Sequence, residues 1–174
     1  DALDQLSTLP YSIDDQPALT LMDIRTKARL VPGLKILFLD YLQLCVGDGD
    51  NRTAQIGAIS RGLKGLAKEM GISIVALSQL NRKVEERPGK RPTLSDLRDS
   101  GEIEQDADVI WFLWPIREMG GRKLVGFEQA KNRQGRLMQV GLDFDGAHQR
   151  WGESTADISQ DETPAPRRKG GFDE

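Results

Sequence analysis

Two polar side chains follow apolar runs at positions where an α/β sheet would present them to a ligand. Asp40 ends the run Ile36-Leu-Phe-Leu, and Gln79 comes shortly after the apolar run 72–77. Ligands of an open parallel sheet bind at the carboxyl ends of its strands. A carboxylate there can hold Mg²⁺ through its waters, and an amide can hydrogen-bond a phosphate or an attacking water. The alternative is that Asp40 only starts a turn.

The chain contains no loop that could cradle the phosphates of a nucleotide. The pattern G-x-x-x-x-G-K-[ST] does not occur, and Gly89-Lys90 is followed by Arg91 and lacks the earlier glycine. The strand that ends at Asp40 therefore has the pattern of a Mg²⁺-positioning strand, without the phosphate loop that usually precedes it. We expect an α/β fold that is incomplete at its N-terminal side.

A strand, a helix and a second strand position Asp40 and Gln79. Apolar residues at steps of three and four predict the helix: Ile56, Ile59, Leu63, Leu66 and Met70. Asn51 or Thr53 can cap its start, and Gly71 can end it. Strand 35–40, this helix and strand 72–77 form a βαβ unit, which predicts a parallel strand pair.

Other segments predict one earlier helix and several antiparallel strands. Thr20 and Asp23 form a capping box for a helix that ends near Leu30. Residues 109–113 predict a third buried strand. The alternating segments 125–130 and 137–144 flank turn residues and predict a hairpin. The expected fold is thus a mainly parallel sheet flanked by helices, with a C-terminal antiparallel hairpin.

The composition is that of a soluble protein. The chain has 174 residues, of which 38% are hydrophobic and 29% are charged. Its apolar runs are strand-sized, so we expect no membrane segment, and we see no signal peptide. A single cysteine, Cys45, excludes an internal disulfide and is compatible with the cytoplasm, and a single histidine, His148, argues against a zinc site.

The net charge of −3 decides little, but its distribution is uneven. Residues 82–98 contain six basic and three acidic side chains within an acidic chain. Such a segment can contact phosphates, although charge alone favours a solvated surface loop. In the overlapping segment 95–108, Arg98 could pair with a phosphate, and Gly101 would let backbone N–H groups approach one. The alternative is a charged loop without function.

Four segments match, in order and spacing, a known family, and a fifth fits its later turn. The chain resembles the C-terminal motor domain of the DnaB-type bacterial and phage replicative helicases over roughly residues 3–151. The matching segments are 36–44, 51–69, 75–82 and 90–108, and the turn is Lys131-Asn-Arg-Gln-Gly135. The resemblance implies a RecA-like domain over 1–152, here only partial, and we expect a disordered polar tail over 153–174.

The resemblance also implies roles for particular residues. Asp40 would be the Walker B acid that holds Mg²⁺, and Gln79 would sense the phosphate of ATP. Lys131 and Arg133 would form the basic pair that reaches the γ-phosphate bound by a neighbouring subunit of a hexameric ring.

The same family moves 5′→3′ on single-stranded DNA. Arg98, Asp99 and Gly101 match its DNA-binding loop, and Asn51 and Arg52 belong to a loop that would face the ring channel. The family usually has Glu in place of Asp99, a change that affects only the detail of that contact.

The family's phosphate-binding loop and catalytic glutamate precede the matched region. We therefore expect little ATPase activity from this chain alone. We expect contacts with primase and a helicase loader only for the full-length protein, and homo-oligomers because a strand edge would be unpaired. One alternative is a non-catalytic single-stranded-DNA-binding or helicase-modulating remnant of a prophage gene. Another is a RecA-type recombinase, against which the run Asp-Tyr-Leu-Gln-Leu argues.

Overall fold

The structure, a computed structural model, describes Asp4 and residues 8–158, without the side chains of 98–100 and 119. The chain divides into two units at the Gln79–Leu80 junction. The division separates the predicted βαβ unit from the strands that follow it. We describe each unit by itself.

The first unit begins its regular structure with helix α1, Leu21–Leu30. Its N-cap is Thr20, whose hydroxyl accepts a hydrogen bond from the Asp23 N–H at 3.2 Å. The Asp23 carboxylate in turn accepts from the Thr20 N–H at 2.9 Å. The predicted capping box and helix are therefore confirmed.

Helix α2, Arg52–Met70, connects the two strands of the first unit along the sequence. Its predicted apolar stripe is buried at Ile56, Ile59, Leu63 and Leu66, and Met70 at its end is half-buried. Asn51 caps its start through a side-chain oxygen that accepts from the Ala54 N–H at 2.9 Å. Gly71 ends it in the left-handed region, at φ 64°, where glycine avoids the penalty of a Cβ atom.

Strands β1, Ile36–Leu39, and β2, Ser73–Ala76, pair in parallel, as the βαβ pattern predicts. The prediction that the first strand is buried is wrong for one of its faces. The Phe38 side chain is 70% exposed and Ile36 is 50% exposed, whereas Leu37 and Leu39 are half-buried. The reason is that the sheet described in this unit has two strands only, so one of its faces has little to pack against.

The second unit is built on an antiparallel sheet in the order β3-β4-β5-β6. Its strands are β3, Val109–Met119, β4, Arg122–Asn132, β5, Met138–Asp145, and β6, Arg150–Glu153. The hairpin of β4 and β5 confirms that prediction. The third apolar run lies in β3, and its side chains alternate, with Phe112 buried and Trp111 half exposed. It was expected to be fully buried, but only one face of this sheet is covered.

The core of the second unit contains Leu97, Ile110, Phe112, Trp114, Leu124 and Ile158. Gly126 on β4 leaves room for the Trp114 ring, because an added Cβ would lie 2.3 Å from it. Ile158 is 8% exposed and belongs to this core, and the domain boundary at residue 152 stays a prediction. The rest of the expected polar tail, residues 159–174, lies outside the described part.

Replacing Leu66 by Ala should lower the free energy of unfolding of the chain by about 2–5 kcal/mol. Leu66 has no exposed surface, so the substitution leaves a cavity beneath α2. Urea unfolding followed by circular dichroism measures the change. Lys68→Ala, at an exposed position of the same helix, should change it by no more than about 0.5 kcal/mol. Equal effects of the two substitutions would contradict the assigned core.

Candidate functional site

The first unit brings Asp40 and Gln79 to one edge of the parallel pair. Leu39 lies opposite Ala76, and the Leu77 N–H donates to the Leu39 carbonyl at 2.9 Å. Asp40 and Gln79 therefore follow the carboxyl ends of neighbouring strands, and both are exposed. This is the edge at which ligands of parallel sheets bind.

The donor set at this edge fits a hard, hydrated cation better than a transition metal. Asp40 supplies one exposed carboxylate, and Mg²⁺ needs few protein ligands because it keeps several waters. Among the described residues, no group of three or more His, Cys, Asp or Glu side chains could hold a metal ion. Asp40 could thus hold Mg²⁺ only together with the oxygens of a bound phosphate and water.

Gln79 is held by a residue that the sequence analysis did not single out, Gln43. The Gln43 side-chain oxygen accepts from the Gln79 N–H at 3.1 Å, and its side-chain nitrogen donates to the Ser78 hydroxyl at 3.0 Å. The signal in the sequence was a polar residue between Leu42 and Leu44 within an apolar run. Gln43 fixes the backbone of Gln79, although Gln79 itself is exposed.

The loop before α2 packs closely on the start of that helix. An added Cβ at Gly47 would lie 2.7 Å from the Gln55 carbonyl, and the Gln55 side chain donates to the Gly49 carbonyl at 3.3 Å. The Arg52 guanidinium donates to the carbonyls of Cys45, at 3.3 Å, and Gln43. Both predicted DNA contacts, Asn51 and Arg52, lie where this loop meets α2: the Asn51 side chain caps the helix, and the Arg52 side chain holds the start of the loop.

In the second unit, the predicted basic segment is largely paired with acids. Arg87 donates two hydrogen bonds of 2.9 Å to the carboxylate of Asp96, which is 5% exposed. Lys90 pairs with Glu85 at 2.7 Å. Arg91 pairs with Glu128 at 3.2 Å. The expectation of a solvated loop was therefore wrong for Asp96, which is buried and paired with the partly exposed Arg87. We call this ion pair the Arg87–Asp96 support.

That support lies next to the predicted DNA loop. Asp96 accepts from the Thr93 N–H at 2.7 Å and caps the 3₁₀ segment Leu94–Ser100. Arg98 and Asp99 belong to this segment, and their side chains lie outside the described part. Helix α3, Gly101–Asp106, follows directly. An added Cβ at Gly101 would meet nothing within 4 Å, so packing does not demand a glycine there.

Lys131 and Arg133 lie at the end of α3. The Lys131 ammonium donates to the Glu104 carbonyl, and the Arg133 guanidinium donates to the Gln105 carbonyl. The backbone N–H of Arg133 also donates to the Asp108 carbonyl at 2.9 Å. Cations at the carbonyl end of a helix are stabilising, so this pair holds α3 in place. Sequence reasoning missed this contact because the partners are backbone atoms far along the chain.

Comparisons with known proteins decide the family. Residues 1–153 match the model of the DnaB-like helicase C terminal domain. The chain belongs to this family. It is 54% identical over 114 residues to the replicative DNA helicase DnaB of Rickettsia bellii, in an alignment that covers 63% of this chain and 23% of that protein. It is 41% identical over 153 residues to the DnaB of Geobacillus stearothermophilus, covering 82% of this chain and 34% of that protein.

Solved structures agree with this DnaB-like assignment. One solved structure, described as an ATPase domain, aligns with a TM-score of 0.81 and 38% identity, covering 88% of this chain and 58% of that one. A DnaB-like replicative helicase solved for its interactions with primase aligns with a TM-score of 0.76 and 40% identity, covering 82% of this chain and 38% of that one. The fold is therefore RecA-like, as expected. This DnaB-like chain spans about a quarter to a third of the curated relatives named above.

No helix among the described residues is long and apolar enough to cross a membrane.

In this DnaB-like domain, acid should weaken the pairing of Arg87 with Asp96, next to the predicted DNA loop. The hydrogen bonds from Arg87 hold the pKa of Asp96 below its ordinary value of 3.8. The stabilisation is therefore complete above about pH 4 and is lost as the pH falls through the lower pKa of the folded state. Asp96→Asn should lower the free energy of unfolding at pH 7 by about 1–3 kcal/mol.

Urea unfolding of both proteins at several pH values between 7 and 2.5 measures this effect. The difference between wild type and Asp96→Asn should shrink below about pH 4, because there the Asp96 carboxyl takes up a proton more readily in the unfolded state than in the folded state. The exposed Glu86→Gln should show almost no difference at pH 7. A difference for Asp96→Asn that does not depend on pH would show that the ionised pair with Arg87 is not what stabilises the segment.

Proposed function

We propose that this chain is the C-terminal part of an ATP-dependent replicative DNA helicase that unwinds duplex DNA by moving 5′→3′ on single-stranded DNA. The observation that carries the proposal is the placement of Asp40 and Gln79 at one edge of a parallel strand pair, within a domain of the DnaB-like family. In this proposal the domain works in the cytoplasm, as one of six subunits of a ring.

Asp40 and Gln79 would act on ATP from this edge. Asp40 would hold Mg²⁺ through water, and the ion would neutralise charge on the phosphates when bound. The Gln79 amide would hydrogen-bond the γ-phosphate and lose that contact after hydrolysis, since an amide both donates and accepts. The exposure of both residues supports the proposal, because a ligand can reach them.

Lys131 and Arg133 would act on the nucleotide of a neighbouring subunit. Cations that meet a γ-phosphate stabilise the charge that develops on the transferred group. The pair lies at the end of β4 and in the turn that follows, so its backbone is fixed by the sheet. Its present carbonyl partners are neutral, and a phosphate would compete strongly for both cations.

Arg98, Asp99 and Gly101 would contact the backbone of the single-stranded DNA, together with Asn51 and Arg52. An arginine and free backbone N–H groups suit the phosphate backbone and carry no base preference. The support by Arg87 and Asp96 favours this assignment, because a loop that tracks a moving strand needs a fixed base.

The site is incomplete without a phosphate-binding loop, which this chain does not contain. A second candidate is a non-catalytic single-stranded-DNA-binding or helicase-modulating remnant of a prophage helicase gene, which would use only the proposed DNA contacts. A relative is described with its interactions with primase. Contacts of this kind, and with a helicase loader, would need the full-length protein.

Purified 174-residue chain should hydrolyse ATP no faster than buffer with Mg²⁺, because Asp40 and Gln79 have no phosphate cradle beside them. A coupled phosphate-release assay at millimolar ATP measures the rate. Asp40→Ala should leave this background unchanged, as should the exposed control Asp48→Ala. Turnover that needs Mg²⁺ and disappears only in Asp40→Ala would show that the site is complete and would contradict the proposal.

The chain should bind single-stranded DNA with an affinity that falls as salt rises. Arg98→Ala should weaken binding and reduce the slope of log K against log salt by about 1, because one phosphate contact is lost. Fluorescence anisotropy with a labelled oligothymidine measures both quantities. Lys123→Ala removes the same charge from an exposed position on β4 and should change neither much.

Absence of DNA binding even at about 50 mM salt would exclude a DNA-binding role for the loop around Arg98. Equal losses of affinity in Arg98→Ala and Lys123→Ala would exclude it too. Absence of binding would also exclude single-stranded DNA binding as the role of the second candidate.

A further inference from the structure

Gln79 lies beyond the part of β2 that the sheet holds. The ladder between β1 and β2 ends at Ala76, and the next residue, Leu77, is fixed by two backbone hydrogen bonds of 2.9 Å to Leu39 and Leu42. The Gln79 N–H is held by a side chain instead, and the Gln79 carbonyl accepts from the neighbouring Ser78 hydroxyl at 3.3 Å. The conformation from which Gln79 would reach a phosphate is thus set outside the sheet.

Gln43 supplies that side chain from 36 residues earlier in the sequence. It uses both ends of its amide on consecutive residues, accepting from the Gln79 N–H and donating to the Ser78 hydroxyl. Gln43 belongs to the 3₁₀ turn Leu42–Leu44, which is anchored by the buried Leu42. A shorter or apolar side chain at 43 could not make both contacts.

The same turn is tied to the loop before α2. Arg52 donates to the carbonyl of Gln43 and to that of Cys45, and it also donates to the Gln55 side chain at 3.1 Å. Cys45 is 4% exposed, so this end of the loop is fixed. One continuous set of hydrogen bonds therefore runs from Arg52 through Gln43 to Gln79.

We infer that Gln43 is a positioning residue that holds Gln79 at the ligand edge and links it to the loop carrying Asn51 and Arg52. Movement of that loop on binding single-stranded DNA would then shift the Gln79 backbone. The inference rests on the function proposed above for Gln79 and the loop, but the contacts on which it depends can be tested separately.

Amide hydrogen exchange in the isotope-labelled 174-residue chain, followed by NMR, tests the positioning role. Gln43→Leu removes both contacts and should speed exchange of the Gln79 amide about five- to tenfold. Gln43→Glu keeps an acceptor oxygen at the same reach and should stay within about twofold of wild type. The Leu77 amide, bound to a backbone carbonyl, should be unchanged in both. Equal exchange at Gln79 in wild type and Gln43→Leu, or no rescue by Gln43→Glu, would overturn the inference.

Gln43→Asn serves where Gln43→Leu fails to fold, because it keeps the amide but is one methylene too short. In Gln43→Asn the Gln79 amide should exchange about five- to tenfold faster than in wild type, as expected for Gln43→Leu. A wild-type rate for Gln79 in Gln43→Asn would also overturn the inference.

Addition of oligothymidine to the same samples tests the link. In wild type, DNA should shift the amide signals of both Arg52 and Gln79, and in Gln43→Asn it should shift Arg52 alone. Shifts at Arg52 without any at Gln79 in wild type would overturn the link. Shifts nowhere in loop 47–52 would instead count against the proposed DNA contacts, and the exchange result at Gln79 would still decide the positioning role.

Discussion

The pairing of β1 with β2 depends on the buried face of α2. Two four-residue strands do not form a stable sheet in water unless an apolar surface packs against them. Ile59 and Leu66, on the helix that joins the two strands, are the most deeply buried of the described side chains in this unit. Because the connection is a helix, the strands are parallel, and the residues after them, Asp40 and Gln79, meet at one edge. The candidate site is a consequence of this packing.

In the second unit, charged side chains fix irregular backbone. Arg87 and Asp96 join two parts of a long segment that has no strand of its own, and Lys131 and Arg133 close the carbonyl end of α3. The Arg87 pairing matters most, because the Asp96 carboxylate is buried and an unpaired buried charge is costly. The DNA loop assigned to Arg98 and Gly101 lies between these two supports along the chain. The residues that give this part of the domain its shape are therefore the same types that bind phosphates elsewhere.

Local patterns in the sequence predicted the elements well. The capping box at Thr20, the apolar stripe of α2 and the turn between β4 and β5 each depend on neighbouring residues, and the structure confirms them. Burial was predicted less well, as Phe38 and Trp111 show, because it depends on which elements cover a face. A run of apolar letters does not contain that information. The resemblance to DnaB-type helicases was right for the family.

Contacts between distant residues could not be predicted from the sequence. The link from Gln43 to Gln79 joins residues 36 apart, and Lys131 reaches backbone atoms 27 residues away. Backbone carbonyls have no signature in a sequence, and Gln43 appeared there only as a polar residue in an apolar run. The burial of Ile158 was missed for a related reason, because this residue follows a polar stretch of the sequence.

The central claim is that this chain carries the Mg²⁺ and sensor side of a helicase site, and a chimaera tests it most directly. In the chimaera, this chain would replace the matching 153 residues of the Geobacillus stearothermophilus relative, which would supply everything upstream. DNA-stimulated ATP hydrolysis by the purified chimaera should be lost in Asp40→Asn and retained in Asp15→Asn, at an exposed position outside the proposed sites. A folded chimaera without turnover, or one whose turnover survives Asp40→Asn, would contradict the account.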